Sequence, residues 1–291
     1  MGKSRAAVRL AGVFPGEIIN ADSIQVYREF DIGTDKPPAG ALEAVPHHLL
    51  NILSPDEQFS AADFVREAVA AAELILSRKH IPFVVGGTGL YLKALINGLF
   101  PGPGRNPEIR SGLESEAREK GLAELFKSLE AVDPEYAAKI RNRDRIRIVR
   151  ALEVYRATGI PFSKHFAKTR SPLKGYGLVR IGLNMERADL YRRIEDRVER
   201  MFSQGLVDEV RGLLARGVRP EVAPFRALGY RHVLDVLAGK ISLEEAKELT
   251  KIETRHYAKR QMTWFRKMEG VSWFSPEDGK ALEDHLRNQI E

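Results

Sequence analysis

The stretch Ile81-Pro82-Phe83-Val84-Val85-Gly86-Gly87-Thr88-Gly89-Leu90-Tyr91 limits the fold more than any other in this 291-residue chain. An apolar run of strand length passes directly into a glycine turn and then into a helix-forming segment. A second run, Gly16 to Ser23, reads as a short buried strand ending on Asp22, and His47 to Leu53 is a further strand candidate. Ahead of them, the residues after Gly2 predict a short helix that packs Ala6, Ala7, Leu10 and Ala11 inward and ends at Gly12. Ser60 is placed to cap another helix that runs to Lys79. Strands alternating with helices predict an α/β fold with a parallel sheet, in which ligands bind beyond the carboxyl ends of the strands.

The pattern changes at Pro101–Gly104, where two prolines and two glycines suggest a hinge. A mainly helical stretch follows, and within it Arg145–Pro161 predicts a helix with Ile146, Val149 and Leu152 on one face. Gly175–Met185 returns to strand character, and the remainder reads as almost entirely helical. The expected organisation is a first core segment at 1–105, a helical insertion at 106–172, and a second core segment at 173–291.

Three features fall at one edge of such a sheet. Gly2-Lys3-Ser4 matches the end of the phosphate-binding loop G-x-x-x-x-G-K-[ST], in which backbone N–H groups and the lysine hold phosphates and the hydroxyl holds Mg²⁺. Asp22-Ser23 closes one strand and Gly86-Gly87-Thr88 closes another. Taken singly, each has a plain structural explanation: a chance match, an N-cap and a tight turn. Together they describe a phosphate-binding α/β enzyme.

Charge adds to this. Lysine and arginine outnumber acids by 46 to 40, giving +6, and the excess is clustered. Lys139, Arg141, Arg143, Arg145, Arg147 and Arg150 lie close together, interrupted by Asp144. Lys251, Arg255 and Lys259 share one helix face, with Tyr257, Trp264 and Phe265 nearby. Such stripes fit RNA phosphates and stacked bases, or simply a solvated face over a core. The chain has no cysteine, which excludes disulfides and thiol nucleophiles. No apolar run approaches the roughly 18 residues of a membrane span, and the first residues lack a signal-peptide layout, so a cytoplasmic chain without membrane association is expected. No third partner joins His47 and His48, which are expected to be structural or base-contacting rather than metal ligands.

Six stretches, INADSIQVYREFDIGTDKP, VVGGTGLYLKAL, RIVRALEVYRATG, RIEDRVERMFSQGLVDEV, FRALGYR and YAKRQMTWFRK, together resemble the bacterial tRNA dimethylallyltransferases, in the same order and over nearly the whole chain. The resemblance implies a P-loop core with a helical insertion that grips the anticodon stem-loop. It also implies transfer of a dimethylallyl group from dimethylallyl diphosphate to N6 of the adenine beside the anticodon, with Mg²⁺. By position, Gly2, Lys3 and Ser4 would hold the diphosphate, and Ser4 the metal. Asp22 would be the general base, Thr88 would orient the amine, and Arg226 would sit near the leaving group. Asp22, Ser23, Ile24, Gln25, Thr88, Arg110, Ile146, Arg147, Ile148, Val149 and Arg150 would contact tRNA. The sequence departs from the family at its front, where the usual first strand and the first half of the loop do not precede Gly2. Either the natural protein begins further upstream, or the chain is a shortened one with impaired transfer that still binds tRNA. A free-nucleotide prenyltransferase and a kinase on the same loop are the other readings, and a monomer is expected.

Overall fold

A computed structural model describes residues 2–100 and 102–290. Met1, Glu291 and Pro101, the last a member of the expected hinge, lie outside the described residues. The chain divides into two compact units, one built from the segments before Leu95 and after Lys174, the other from Leu95–Lys174.

In the first unit, α1 (Lys3–Val13) leads into β1 (Gly16–Ala21), α2 (Ala39–Ala44), β2 (His47–His48), α3 (Ala61–Ser77), β3 (Ile81–Gly86) and α4 (Gly89–Asn97). The three strands form a parallel sheet in the order β2-β1-β3, and β1 is buried along its whole length. Helix α1 continues one residue past Gly12 and buries Ala7, Leu10 and Ala11. Ser60 caps α3 reciprocally: its hydroxyl accepts from the Asp63 N–H, and the Asp63 carboxylate accepts from the Ser60 N–H at 3.0 Å. The strand expected over His47–Leu53 shrinks to two residues. Leu49 and Asn51 adopt positive φ angles of 60° and 56°, which break the extended run, and pairing resumes only at an isolated Tyr27–Leu53 bridge.

The unit continues after Lys174 with β4 (Arg180–Leu183). Helices α10 (Arg187–Ser203), α11 (Leu206–Ala215), α12 (Tyr230–Leu237) and α13 (Leu243–Phe265) follow, then β5 (Val271–Phe274) and α14 (Gly279–Ile290). Strand β5, which the helical expectation for this region missed, pairs in parallel with β4 as a second sheet. Ile81 and Phe83 of β3 share an apolar cluster with Ile181 and Leu183 of β4 and Phe274 of β5, over Leu10, Phe14, Leu282 and Leu286 of α1 and α14. One helical layer therefore underlies both sheets. Among the described residues β3 pairs only with β1, and β4 only with β5, and both strands are half-buried.

The second unit contains the end of α4, then α5 (Pro107–Glu119), α6 (Leu122–Val132), α7 (Pro134–Ala137), α8 (Arg145–Thr158) and α9 (Phe162–His165) around Leu113, Leu125, Leu129, Ile148, Leu152 and Phe162. Asp133 caps two helices, accepting from Tyr136 N at 3.0 Å and Ser163 N at 2.7 Å. Ile146 does not share the buried face expected of it. It lies in the first turn of α8 and is 78% exposed, while Ile148 and Val149 fill the core.

At the amino-terminal end of β1, far from the strand tips, buried Glu17 accepts from His48 Nε2 (2.7 Å), His80 Nδ1 (2.9 Å) and Arg78 Nη1 (3.2 Å). This fixes His48 in a structural role. Burial alone would raise the Glu17 pKa, but these bonds outweigh it and hold the carboxyl at about 2. A folded-state pKa below the unfolded one stabilises the fold above about pH 4.5, and the benefit is lost as pH falls toward 2. Glu17→Gln is therefore expected to lower stability at pH 7 by about 3 kcal/mol, with a gap to the wild type that narrows below pH 4.5 in urea titrations.

Candidate functional site

The tips of β1 and β3 are drawn together. Their register ends at Ala21 opposite Gly86, and a Cβ on Gly86 would lie 2.1 Å from the Ala21 carbonyl oxygen, so only glycine fits. Beyond this pair the Thr88 N–H donates to Ala21 O (3.3 Å), and the Ser23 N–H donates to Thr88 Oγ1 (3.1 Å). Asp22 is thus one residue from the Thr88 hydroxyl. One of its oxygens, Oδ1, accepts from the N–H groups of Ile24 (2.9 Å) and Gln25 (3.3 Å), which fixes the carboxylate as a turn cap. The cap occupies Oδ1 only, so capping and chemistry are compatible roles for this residue.

Helix α1 starts beside these tips. Gly2 takes a left-handed conformation (φ 78°), no side chain caps the helix, and its first turn has no acid. The free N–H groups and the positive end of the helix dipole make this an anion-binding end. Burial pushes the Lys3 ammonium below its usual range, the Asp22 carboxylate draws it back up, and the Arg197 guanidinium lowers it again. Lys3 is therefore within electrostatic reach of both side chains. Ser4 is exposed.

Helix α13 closes over the glycine turn. Gln261 Nε2 donates to Gly87 O at 2.9 Å, and the Trp264 indole covers Gly89 so closely that a Cβ there would meet it at 2.7 Å. Burial, and then the Asp22 carboxylate, raise the Tyr257 hydroxyl pKa, so this hydroxyl is within electrostatic reach of Asp22. Aromatic interleaving had marked Tyr257 and Trp264 as notable; nothing local in the sequence marks Gln261.

The segment after Asp22 is fixed from below. Gln25 Nε2 donates to Thr34 O (3.0 Å), and Lys36 Nζ reaches Tyr27 O and Asp31 Oδ1, both at 2.6 Å. Glu209 of α11 accepts from the Asp31 and Ile32 N–H groups (3.1 and 2.8 Å) and from the Tyr230 hydroxyl (2.5 Å). Ser23, Ile24 and Gln25 thus belong to an anchored loop.

Other expected site residues have different surroundings. Arg226 ends a short 3₁₀ turn, is exposed, and makes no ion pair among the described residues; its neighbour Phe225 packs in the core. In the second unit, Ile148 and Val149 are 0% and 1% exposed, so their side chains are unavailable to RNA. Arg110 and Arg150 are bound to the fully buried Glu153, at 2.8 and 3.0 Å, and Arg150 also donates to Pro103 O at 2.7 Å. These two arginines neutralise a core carboxylate. Ile146, Arg141, Arg143 and Arg147 remain on the surface. The carboxyl-terminal stripe is largely neutralised: Lys251 pairs with Glu199 (2.7 Å) and Glu248, and Arg255 with Glu195.

The arrangement combines a cationic, N–H-rich helix start, a carboxylate within electrostatic reach of Lys3, and a hydroxyl on the adjoining strand tip. No cluster of three or more histidine or acidic residues that could hold a metal occurs among the described residues.

Residues 25–268 match the family model described as IPP transferase. The chain is 50% identical over 286 residues to tRNA dimethylallyltransferase 2 of Geotalea uraniireducens, covering 98% of this chain and 92% of that one. It also resembles the solved tRNA isopentenylpyrophosphate transferase of Bacillus halodurans, with a TM-score of 0.73, 40% identity, and coverage of 99% and 93%. A eukaryotic dimethylallyltransferase solved acting on tRNA superimposes with a TM-score of 0.83 at 30% identity, over 99% of this chain and 74% of that one.

The two glycines at the tip differ in what blocks them. A Cβ on Gly86 meets backbone, whereas one on Gly87 meets only the movable Gln261 amide, also at 2.1 Å. Gly86→Ala is expected to destabilise the chain by about 2–3 kcal/mol in chemical denaturation, and Gly87→Ala by less than about 1 kcal/mol.

Proposed function

The chain belongs to the IPP transferase family, and from that membership we infer that it transfers a dimethylallyl group from dimethylallyl diphosphate to N6 of the adenosine 3′-adjacent to the tRNA anticodon, releasing diphosphate. The observation that supports the residue assignment is the Ser23 N–H to Thr88 Oγ1 bond, which joins the strand tips that carry Asp22 and Thr88, with Asp22 within electrostatic reach of Lys3 at the uncapped start of α1.

The exocyclic amine of adenine is a weak nucleophile because its lone pair is delocalised into the ring, and fixed positioning against the allylic carbon lowers the barrier. The N6–carbon bond forms as the carbon–oxygen bond to diphosphate breaks, and the Asp22 carboxylate takes the amine proton. Thr88, held by the strand tips, orients the amine from its other side. Charge that builds on the leaving diphosphate meets Lys3 and the N–H groups of the first turn of α1, which favour the transition state over the ground state. Mg²⁺, held by Ser4 and the diphosphate oxygens, would supply further charge neutralisation. An adenine stacked in its loop must be flipped outward, at a cost of a few kcal/mol that phosphate contacts offset. In the helical unit, the exposed Arg141, Arg143 and Arg147, the last ion-paired with Asp144 at 3.5 Å, are among the side chains available for such contacts.

Incubated with unmodified tRNA, dimethylallyl diphosphate and Mg²⁺, the protein is expected to yield prenylated tRNA, and Asp22→Ala to reduce the rate by about a hundredfold or more while tRNA affinity stays within about twofold. A variant as fast as the wild type would remove Asp22 as the base, and absence of transfer by the wild type would remove the assignment.

A further inference from the structure

A single peptide group links Gly87 to Thr88, and partners far away in sequence hold it at both ends. Its N–H donates to Ala21 O at 3.3 Å, and its carbonyl accepts from Gln261 Nε2 at 2.9 Å. The first partner belongs to β1 and the second to α13, so two elements set the plane of the group. Thr88 follows this plane directly. On its other side the Thr88 carbonyl turns into α4, where it accepts from Tyr91 N at 3.0 Å and Leu92 N at 3.3 Å. Fixed on both sides, the residue aims its hydroxyl at the Ser23 N–H, 3.1 Å away. Gln261 fits this contact closely. Its amide takes the space of a Cβ on Gly87, where Nε2 would be 2.1 Å from such an atom and Cδ 3.1 Å. The same amide is within hydrogen-bond reach of the Tyr257 hydroxyl, one turn earlier on α13. Three positions later Trp264 covers Gly89. Helix α13 therefore clasps the turn on both sides of Thr88, at Gly87 by a hydrogen bond and at Gly89 by packing.

We propose that Gln261 is a positioning residue for transfer, which aims the Thr88 hydroxyl through the peptide group between Gly87 and Thr88. It touches no reacting atom. Without its N–H the buried Gly87 carbonyl loses its donor, and the group is left free to turn about its remaining bond to Ala21. The hydroxyl then swings away from the amine that it orients, and a small misplacement of an orienting group is costly in rate. This role rests on the proposed part of Thr88 in transfer, and the test separates the two.

Steady-state prenylation and thermal unfolding are measured on the full chain as wild type, Gln261→Ala, Gln261→Glu, Thr88→Ala and the Gln261→Ala, Thr88→Ala double variant. Gln261→Glu keeps the volume of the side chain and replaces the donating amide with an acceptor. Both Gln261 variants are expected to lower kcat about tenfold, with KM for tRNA and for dimethylallyl diphosphate within about twofold of the wild type. In the Thr88→Ala background, Gln261→Ala is expected to cost less than about twofold more, because the group it aims is gone. A kcat within about twofold of the wild type in a folded Gln261→Ala or Gln261→Glu protein would overturn the proposal. So would a loss confined to KM, or an equal fold loss with and without the Thr88 hydroxyl, which marks a merely structural role. Thr88→Ala as fast as the wild type would instead remove the part given to Thr88, and a wild type that transfers nothing would remove the transferase reading. The proposal falls with either.

Discussion

Everything at the candidate site depends on how closely two strand tips approach each other. The Ala21 carbonyl oxygen occupies the space into which any side chain on Gly86 would grow, and the next residues are joined by the hydrogen bond from Ser23 N to Thr88 Oγ1. Parallel pairing of β1 with β3 brings the tips to one edge of the sheet, and the glycine lets the chains close without a bulge. Asp22 and Thr88, 66 positions apart in sequence, are thereby carried on adjoining strand tips. Helix α1, packed under the same strands, then presents its uncapped end to the pair.

The site also depends on elements that reach it from later in the chain. Helix α13 covers the glycine turn through Gln261 and Trp264, and Glu209 and Tyr230 anchor the loop that runs from Asp22 to Lys36. The second unit is held by different means. Glu153, without any exposed surface, gathers Arg110, Arg150 and the Asn106 N–H, and Asp133 caps two helices at once. Removing one partner from such a buried ionic group leaves an uncompensated charge, which makes it a fixed point of the unit.

Local chemistry made part of this legible in the sequence. The α/β alternation, the Ser60 cap, the strand that ends at Gly86 and the grouping of Lys3, Asp22 and Thr88 each follow from residues close together or from the rule that places ligands at strand ends. The rest depends on partners distant in sequence. Ile146 and Ile148 are equally apolar, but only the point at which α8 begins decides which of them is buried. The basic stripe on α13 reads as free charge until Glu195 and Glu199 of α10 are seen opposite it. Strand β5 has only four residues after a long helix, and pairing with β4 defines it better than its own composition does.

Amide hydrogen exchange, measured on the whole chain with and without inorganic diphosphate and Mg²⁺, tests the convergence of these elements most directly. The account predicts slowed exchange at residues 3–5, where the open N–H groups of α1 take up phosphate oxygens, together with a smaller slowing at residues 22–25 and 86–88. Protection confined to other segments, or none at concentrations that saturate binding, would contradict it.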